Sequence, residues 1–219
     1  MKNKTITTHT IFPYFQKNGL KINYKKGHQF FRPEDSAQGI YYLESGQAIL
    51  TSSKTNGAEQ ILAIGEAGSI FGKVGSVMTQ PTVNIAAQSM TDCVVYRLGC
   101  QEFMQLIRTE PLACSAYMQQ VSYNNVYLLS QVLILGEKDI YTRIITELLF
   151  LAKFHGEQIG KTCTLRINLT QEDLANMLCI FREYLNKTLQ KIKQKKLISN
   201  QKGQMIIPSL IALKKEING

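Results

Sequence analysis

LTQEDLANMLCIFREYLNKTLQKIKQKKLI, residues 169–198, is the stretch that decides the fold. Thr170 is a residue type that caps helix N-termini, and Asp173 three positions later completes a variant of the capping box. The apolar positions that follow have the spacing of a buried helical face: Leu174, Met177 and Leu178. The pattern therefore predicts a short helix that begins directly after Thr170.

A second helix is predicted from Arg182 to Lys196, after a turn at residues 179–181. Its apolar positions recur every three or four residues: Leu185, Leu189 and Ile192. Its outer face carries polar and charged side chains: Arg182, Glu183, Asn186, Lys187 and Gln190. A helix, a short turn and a second helix with such residues in its first turns indicate a helix-turn-helix that reads bases in the major groove of DNA.

A β-hairpin is predicted next, with strands Leu197–Ser199 and Met205–Ile207, and it would form a wing. The whole chain has a net charge of +9. The distribution of this charge supports a polyanionic partner for the C-terminal end. Residues 1–160 hold 14 Lys and Arg against 12 Asp and Glu, whereas residues 161–219 hold 11 against 4. We therefore expect this end to bind DNA. The alternative is an amphipathic helical hairpin with a solvated basic face.

Short strands separated by glycines are predicted over residues 20–100. The β-type runs are Gly39–Leu43, Ala48–Thr51, Ile61–Ile64 and Cys93–Leu98, and Asn56-Gly57 is typical of a tight hairpin turn. Because no helix is predicted between these strands, the pattern favours a small antiparallel barrel or sandwich.

A long helix is predicted from Pro111 to Gly136, after a short one at Gln101–Ile107. It carries a seven-residue repeat with two core positions: Met118, Asn125 and Val132 at one, and Cys114, Val121, Leu128 and Leu135 at the other. A polar Asn125 at a core position fixes register and two-strandedness, so the repeat predicts a parallel homodimer. The alternative is that the helix packs on its own barrel. Asp139 is expected to cap the next helix.

Several classes of protein are excluded by the sequence. The longest apolar run, Leu148–Ala152, is far shorter than a membrane helix, and Met1–Gly19 lacks the apolar core of a signal peptide. The five cysteines are widely spaced and form no C-x-x-C pair, so we expect reduced thiols in a cytoplasmic protein. No Ser/His/Asp arrangement or phosphate-binding loop is present, and a cupin-type enzyme would need metal-binding histidines where the barrel has His28 alone. We therefore expect no enzymatic activity.

Several short motifs occur in a specific order along residues 20–210: Lys26-Gly27, Gly39–Leu43 with Ser45-Gly46, Gly68–Gly72, Arg143-Ile144 and Leu169–Ala175. In this order the chain resembles the cyclic-AMP receptor/fumarate-nitrate regulator (Crp/Fnr) superfamily of bacterial transcription factors. The resemblance implies an α+β fold with an N-terminal double-stranded β-helix (jelly-roll) sensor domain at residues 1–110. It further implies a dimerisation helix at 111–136 and a C-terminal winged helix-turn-helix domain at 137–219.

The resemblance also assigns roles by position. It implies that Arg182, Glu183 and Lys187 read bases, that Thr170 contacts a phosphate and that Asn186 makes a further base contact. The expected partners are a near-palindromic double-stranded DNA operator, a second copy of the chain and, as in many relatives, RNA polymerase. Activation is the commoner outcome in the family.

The turn of the helix-turn-helix departs from the family pattern. Cys179 and Phe181 replace small residues, and Tyr184 stands where Thr is common. Lys187 replaces an Arg whose fork it cannot reproduce on guanine. The operator is therefore expected to differ from the best-known half-sites.

Cyclic-nucleotide members of the family bind their ligand through Gly-Glu, Arg-Ser and Thr-Ser pairs. The corresponding residues here are Gly72-Lys73, Val83-Asn84 and Leu128-Leu129. Lys73 replaces the Glu that holds the ribose hydroxyl, and Val83 replaces the Arg that neutralises the phosphate. Leu128-Leu129 lack both hydroxyl groups of the Thr-Ser pair. We therefore expect an effector other than cyclic AMP.

The segment around Lys73 resembles the chlorophenol-responsive regulators of halorespiration, which implies a small anionic effector, either an aromatic acid or another organic acid. The second lysine that those regulators use is replaced here by Asn124. The predicted effector-binding residues are Gly72, Lys73, Val74, Asn84, Tyr117, Tyr123 and Asn124. The alternative is a regulator that needs no effector.

No cofactor is expected. The N-terminus lacks a cysteine cluster for an iron–sulfur centre, and the histidines are isolated in the sequence, which argues against haem: His9, His28 and His155. A thiol switch at Cys114 or Cys179 is weighed against the commoner role of cysteine as a small hydrophobe. A non-specific nucleic-acid-binding protein is the remaining alternative.

Overall fold

The computed structural model describes residues 5–35, 39–53, 59–72, 84–201 and 203–217, with side chains from Thr10 onward. The chain forms two units, Met1–Leu128 and Leu129–Gly219. None of the helices in the described ranges combines the length and the apolar character that a membrane span requires.

The described residues of the first unit contain the strands β1 (Leu20–Tyr24), β2 (Gln29–Phe31), β3 (Ile40–Ser45), β4 (Ala48–Ser53), β5 (Glu59–Gly65), β6 (Ile70–Gly72), β7 (Ala86–Ser89) and β8 (Cys93–Leu98). Within this part of the chain they form two four-stranded antiparallel sheets, with the orders β1-β8-β3-β6 and β2-β7-β4-β5. All four runs predicted from the sequence are confirmed as β3, β4, β5 and β8. The Asn56-Gly57 turn lies outside the described residues.

Alternation along β3 separates two hydrophobic cores. Tyr41 and Leu43 pack among residues of both sheets, with Phe30 and Phe71. Ile40 and Tyr42 face the opposite way, toward a helical layer. The core of the first unit is therefore partly inside the sandwich and partly between one sheet and its helices.

A helix that the sequence reading did not predict, α1 (Thr5–Asn18), belongs to that layer. It contains Pro13, a residue that disfavours helix interiors. Ile11 and Phe15 on this helix are fully buried, and the ring of Phe12 stacks on Tyr42 at 4.8 Å. Tertiary packing rather than local preference therefore holds α1 in place.

The helices α2 (Cys100–Thr109), α3 (Pro111–Gly136) and α4 (Ile140–His155) confirm the predicted positions. Asp139 caps α4, because its side chain accepts a hydrogen bond from the backbone N–H of Thr142 at 2.7 Å. Ile144, Leu148 and Leu151 on one face of α4 are fully buried.

The second unit adds β9 (Gly156–Ile159), β10 (Thr162–Leu165), α5 (Gln171–Leu178), α6 (Arg182–Gln194), β11 (Ser199–Gln201), β12 (Gln204–Ile207) and α7 (Leu210–Lys215). Its sheet has the order β11-β12-β10-β9. The predicted wing is confirmed as the β11–β12 pair, and the α+β architecture inferred from the sequence is confirmed with it.

Several boundaries in this unit were predicted wrongly. Helix α6 ends at Gln194 and not at Lys196, because Lys196 takes a left-handed conformation with φ +58° that no helix continues through. The first wing strand is Ser199–Gln201 and not Leu197–Ser199, because the ladder with β12 begins at Ser199 and continues to Gln201. Gln201 pairs with Gln204, so the second strand begins at Gln204 and not at Met205. The turn residue Lys202 lies outside the described residues.

Candidate nucleic-acid interface and effector region

The N-terminus of α5 is closed by a reciprocal capping box. The hydroxyl of Thr170 accepts a hydrogen bond from the N–H of Asp173 at 3.1 Å, and the Asp173 carboxylate accepts one from the N–H of Thr170 at 2.9 Å. The predicted cap is confirmed. It leaves Thr170 exposed at the start of the helix.

The turn between α5 and α6 is closed by backbone hydrogen bonds. Cys179 adopts a left-handed conformation with φ +54°, and the N–H of Ile180 donates to the carbonyl of Ala175 at 3.1 Å. This is the pattern of a Schellman helix end. The apolar faces of both helices are buried, none of these side chains being more than 3% exposed: Leu174, Met177 and Leu178 on α5, and Leu185, Leu189 and Ile192 on α6.

Helix α6 presents three of the predicted base-reading residues to solvent: Arg182, Glu183 and Lys187. Arg182 lies 3.6 Å from Glu172 of α5, with both side chains more than half exposed. An ion pair this exposed contributes at most about 1 kcal/mol. The Arg182 guanidinium can therefore leave Glu172 for an acceptor on another molecule at little cost.

Asn186 differs from the other predicted residues. Its side chain is half-buried, and its amide oxygen is buried with no hydrogen-bond partner within the described part of the chain. An unpaired buried acceptor costs free energy. The burial of this oxygen was not evident from the place of Asn186 in the sequence, which had predicted an outward-facing side chain.

Two large aromatic side chains accompany this polar row, and neither was among the residues predicted to contact DNA. Phe181, the N-cap of α6, is 87% exposed, and Tyr184 is 53% exposed. Lys195, at the other end of α6, contacts Glu216 at 2.5 Å and the hydroxyl of Tyr141 at 3.3 Å. These contacts join the C-terminal end of α6 to Tyr141 of α4 and to Glu216 at the end of α7.

The structure describes five of the seven residues predicted to bind an effector, and their grouping into one site stays a prediction. Gly72 ends β6 and Asn84 is exposed just before β7, whereas Lys73 and Val74 lie outside the described residues. Asn124 accepts a hydrogen bond from the side chain of Gln120 at 2.7 Å.

The two predicted effector-site tyrosines have different surroundings. Tyr117 packs edge-to-face on Phe103, with 5.0 Å between the ring centroids, in the helical layer. Burial raises the pKa of the Tyr117 phenol. Burial also raises the pKa of Tyr123, and the nearby Glu66 carboxylate raises it further. An anionic effector at Tyr123 would therefore meet a negative charge.

The proposed dimer seam on α3 is apolar and open to solvent in the single chain. Met118, Val121, Leu128 and Val132 are 57%, 40%, 44% and 66% exposed, and Asn125 is exposed between them. Cys114 and Leu135 at the ends of the repeat are half-buried. The repeat therefore marks a surface that the described residues of its own chain leave open.

Near its end α3 contributes to a buried polar contact. The amide nitrogen of Gln131 donates to both carboxylate oxygens of Glu147 of α4 at 3.1 Å, and Glu147 is fully buried. Burial raises the pKa of the Glu147 carboxyl to about 7, although the hydrogen bonds from Gln131 oppose the rise.

The five cysteines, all of which lie among the described residues, are free thiols. Burial raises the pKa of Cys93 and of Cys163, which makes both poor nucleophiles. Cys179 is exposed, and Cys114 is half-buried. Across the described ranges, no group of three or more His, Cys, Asp and Glu side chains could hold a metal ion.

Two family models match the chain. Residues 21–110 match the cyclic nucleotide-binding domain, and residues 142–216 match the Crp-like helix-turn-helix domain. Among curated proteins, the cAMP-activated global transcriptional regulator CRP of Haemophilus influenzae is 24% identical over 164 residues, which cover 75% of this chain and 73% of that protein.

Solved structures share the fold. CprK complexed with OCPA has a TM-score of 0.72 and 18% identity, and the match covers 94% of this chain and 92% of CprK. The c-di-GMP responsive regulator CLP of Xanthomonas campestris has a TM-score of 0.74 and 20% identity, over 91% of this chain and 98% of CLP.

Proposed function

The chain belongs to the Crp/Fnr superfamily of transcription regulators, and on that premise we propose that it binds a near-palindromic operator as a homodimer under the control of a small-molecule effector. It is a regulator with an effector-binding domain and a DNA-binding domain, and not an enzyme.

The observation that carries the proposal is the outer face of α6. Arg182, Glu183 and Lys187 are exposed within the first two turns of a helix that follows a capped helix and a short turn. These side-chain types donate to guanine and accept from cytosine in the major groove. Asn186 is expected to read a base once its buried amide oxygen is released, and Thr170 to contact a phosphate.

A second copy of the chain is the occupant that we propose for the open seam of α3. A parallel pairing covers Met118, Val121, Leu128 and Val132 and places two α6 helices on one face of DNA. The operator then has two half-sites about one helical turn, roughly 34 Å, apart.

The effector is proposed to be a small anionic compound other than cyclic AMP. Relatives with this fold are associated with three different small molecules: CRP is activated by cAMP, CprK is complexed with OCPA and CLP responds to c-di-GMP. Membership of the superfamily therefore does not identify the ligand. Lys73 stands where a carboxylate would hold a ribose hydroxyl, which supports an anionic ligand. Lys73 is the one positively charged residue among the seven predicted effector-binding residues, so we expect it to bind the acidic group. We propose that effector binding favours activation of transcription.

Selection of bound sequences from a random DNA pool tests the proposed function. The wild type is compared with Arg182→Ala/Lys187→Ala and with Lys214→Ala/Lys215→Ala, a control that removes the same charge from exposed lysines of α7. We expect a near-palindrome that the first variant loses and the control retains. Equal losses in both variants, or affinity that depends on salt alone, would instead indicate a non-specific nucleic-acid-binding protein.

Calorimetric titration of organic acids and cyclic AMP into the wild type and Lys73→Ala tests the effector. Heat from an acid that the variant loses supports the proposal. If no compound gives heat, the effector-independent alternative replaces it. A change of operator affinity with peroxide would favour the redox-responsive alternative.

A further inference from the structure

Two aromatic side chains at the start of α6 are exposed beside the polar row. Phe181 is 87% exposed and Tyr184 is 53% exposed. The N–H of Tyr184 donates to the carbonyl of Phe181 at 3.0 Å, so the two residues share the first turn of the helix. Phe181 is the extended N-cap residue and Tyr184 lies within the first helical turn, so the two exposed aromatic residues flank Arg182 and Glu183 in the sequence. We call these two side chains the apolar patch.

Phe181 contributes little to the stability of its own helix. It occupies the N-cap, where Ser, Thr, Asp or Asn would accept a hydrogen bond from the helix, and it makes no side-chain capping bond. Its ring is almost entirely exposed, so it adds little to the hydrophobic core. A residue that breaks a local stability rule without a compensating contact in its own chain is expected at a functional surface.

We propose that Phe181 and Tyr184 contact the C5-methyl group of thymine in the operator. Thymine methyl groups are the apolar groups that the major groove presents, and apolar side chains including Phe recognise them. A phenyl ring has no donor for a phosphate oxygen, so the DNA backbone is not the partner of Phe181. The patch would therefore specify thymine beside the base pairs that Arg182 and Lys187 read. This inference rests on the proposed DNA-binding function.

The expected effect follows from the size of a methyl group. Removing one buried methyl weakens an apolar contact about fourfold. Because the operator has two half-sites, removal from both should weaken binding about fifteenfold if the effects are independent.

The test uses the operator obtained by selection. Each thymine is replaced in turn by uracil, which lacks only the methyl group, and affinity is measured for the wild type, Phe181→Ala, Phe181→Leu and Tyr184→Phe. Phe181→Leu keeps an apolar side chain, and Tyr184→Phe keeps the ring. Since Phe181 is exposed, the alanine variant should unfold at the same temperature as the wild type.

We expect one uracil position in each half-site to weaken the wild type about fourfold and to weaken Phe181→Ala clearly less, because only Tyr184 then remains to contact the methyl group. Phe181→Leu should keep part of the effect, and Tyr184→Phe should keep most of it. If uracil weakens the wild type and Phe181→Ala equally at every position, or weakens neither, the thymine contact is wrong while the operator stands. If selection yields no sequence, the proposed function fails first.

Discussion

Replacing Glu147 by Gln should stabilise the protein at neutral and alkaline pH and leave it unchanged in acid. Glu147 is fully buried, and the amide nitrogen of Gln131 donates to both of its oxygens. Burial raises the pKa of its carboxyl from 4.5 to about 7. In the substituted chain, the new side-chain amide is neutral at every pH and its oxygen still accepts from Gln131.

The direction of the effect follows from proton binding. Between pH 4.5 and 7 the unfolded chain releases the Glu147 proton while the folded chain keeps it, so the unfolded state binds fewer protons. The free energy of unfolding of the wild type therefore falls as pH rises through this window. The pKa of Glu147 is 4.5 in the unfolded chain and about 7 in the folded chain. This difference corresponds to a loss of at most about 3 kcal/mol in the free energy of unfolding.

Urea unfolding between pH 4.5 and 8.5, at one protomer concentration, measures this contribution. We expect Glu147→Gln to match the wild type near pH 4.5 and to exceed it by up to about 3 kcal/mol at pH 8. Glu157→Gln, the same chemical change at an exposed position of β9, should follow the wild type throughout. If the free energies of unfolding of Glu147→Gln and the wild type change with pH in parallel, the buried carboxylate is not destabilising and the reasoning is refuted.

Three further predictions concern other parts of the chain. Val132→Glu, at a position 66% exposed, should leave each chain folded and convert a dimer to a monomer in sedimentation experiments, and an unchanged sedimentation rate would contradict the seam. Thr170→Ala should lower the free energy of unfolding by about 1 kcal/mol while Thr170→Ser restores it, and equal losses would show that the capping hydroxyl contributes little. Phe15→Ala should cost about 3–5 kcal/mol because the ring is fully buried, and a loss below about 1 kcal/mol would mean that α1 contributes little to the first unit.

The helix-turn-helix could be predicted from the sequence because its signals are local. Thr170 and Asp173 satisfy backbone groups within one turn, and the apolar spacing of α6 is visible without knowledge of its neighbours. The burial of the Asn186 amide oxygen could not be predicted, because it depends on the packing of the helix flank. The same holds for α1, where Pro13 argues locally against the helix that Phe15 stabilises through distant contacts.

The surroundings of the two predicted effector-site tyrosines could not be derived from the sequence. Tyr117 and Tyr123 were selected for their chemistry and position along α3, but one ring packs on Phe103 and the other lies near Glu66. Sequence spacing fixes which side of a helix a residue occupies. It does not fix what the fold brings to that side.

The contact between Gln131 and Glu147 limits where the DNA-binding unit can be separated from the rest of the chain. The matched helix-turn-helix region begins at residue 142, and a fragment cut there, or directly after Gly136, keeps Glu147 and loses its hydrogen-bond donor. Chimeras that exchange DNA-binding domains should therefore be joined before Leu129, so that the last two turns of α3 travel with α4. In this chain the DNA-binding unit that can be exchanged begins within α3, at Leu129, and not at the turn after Gly136.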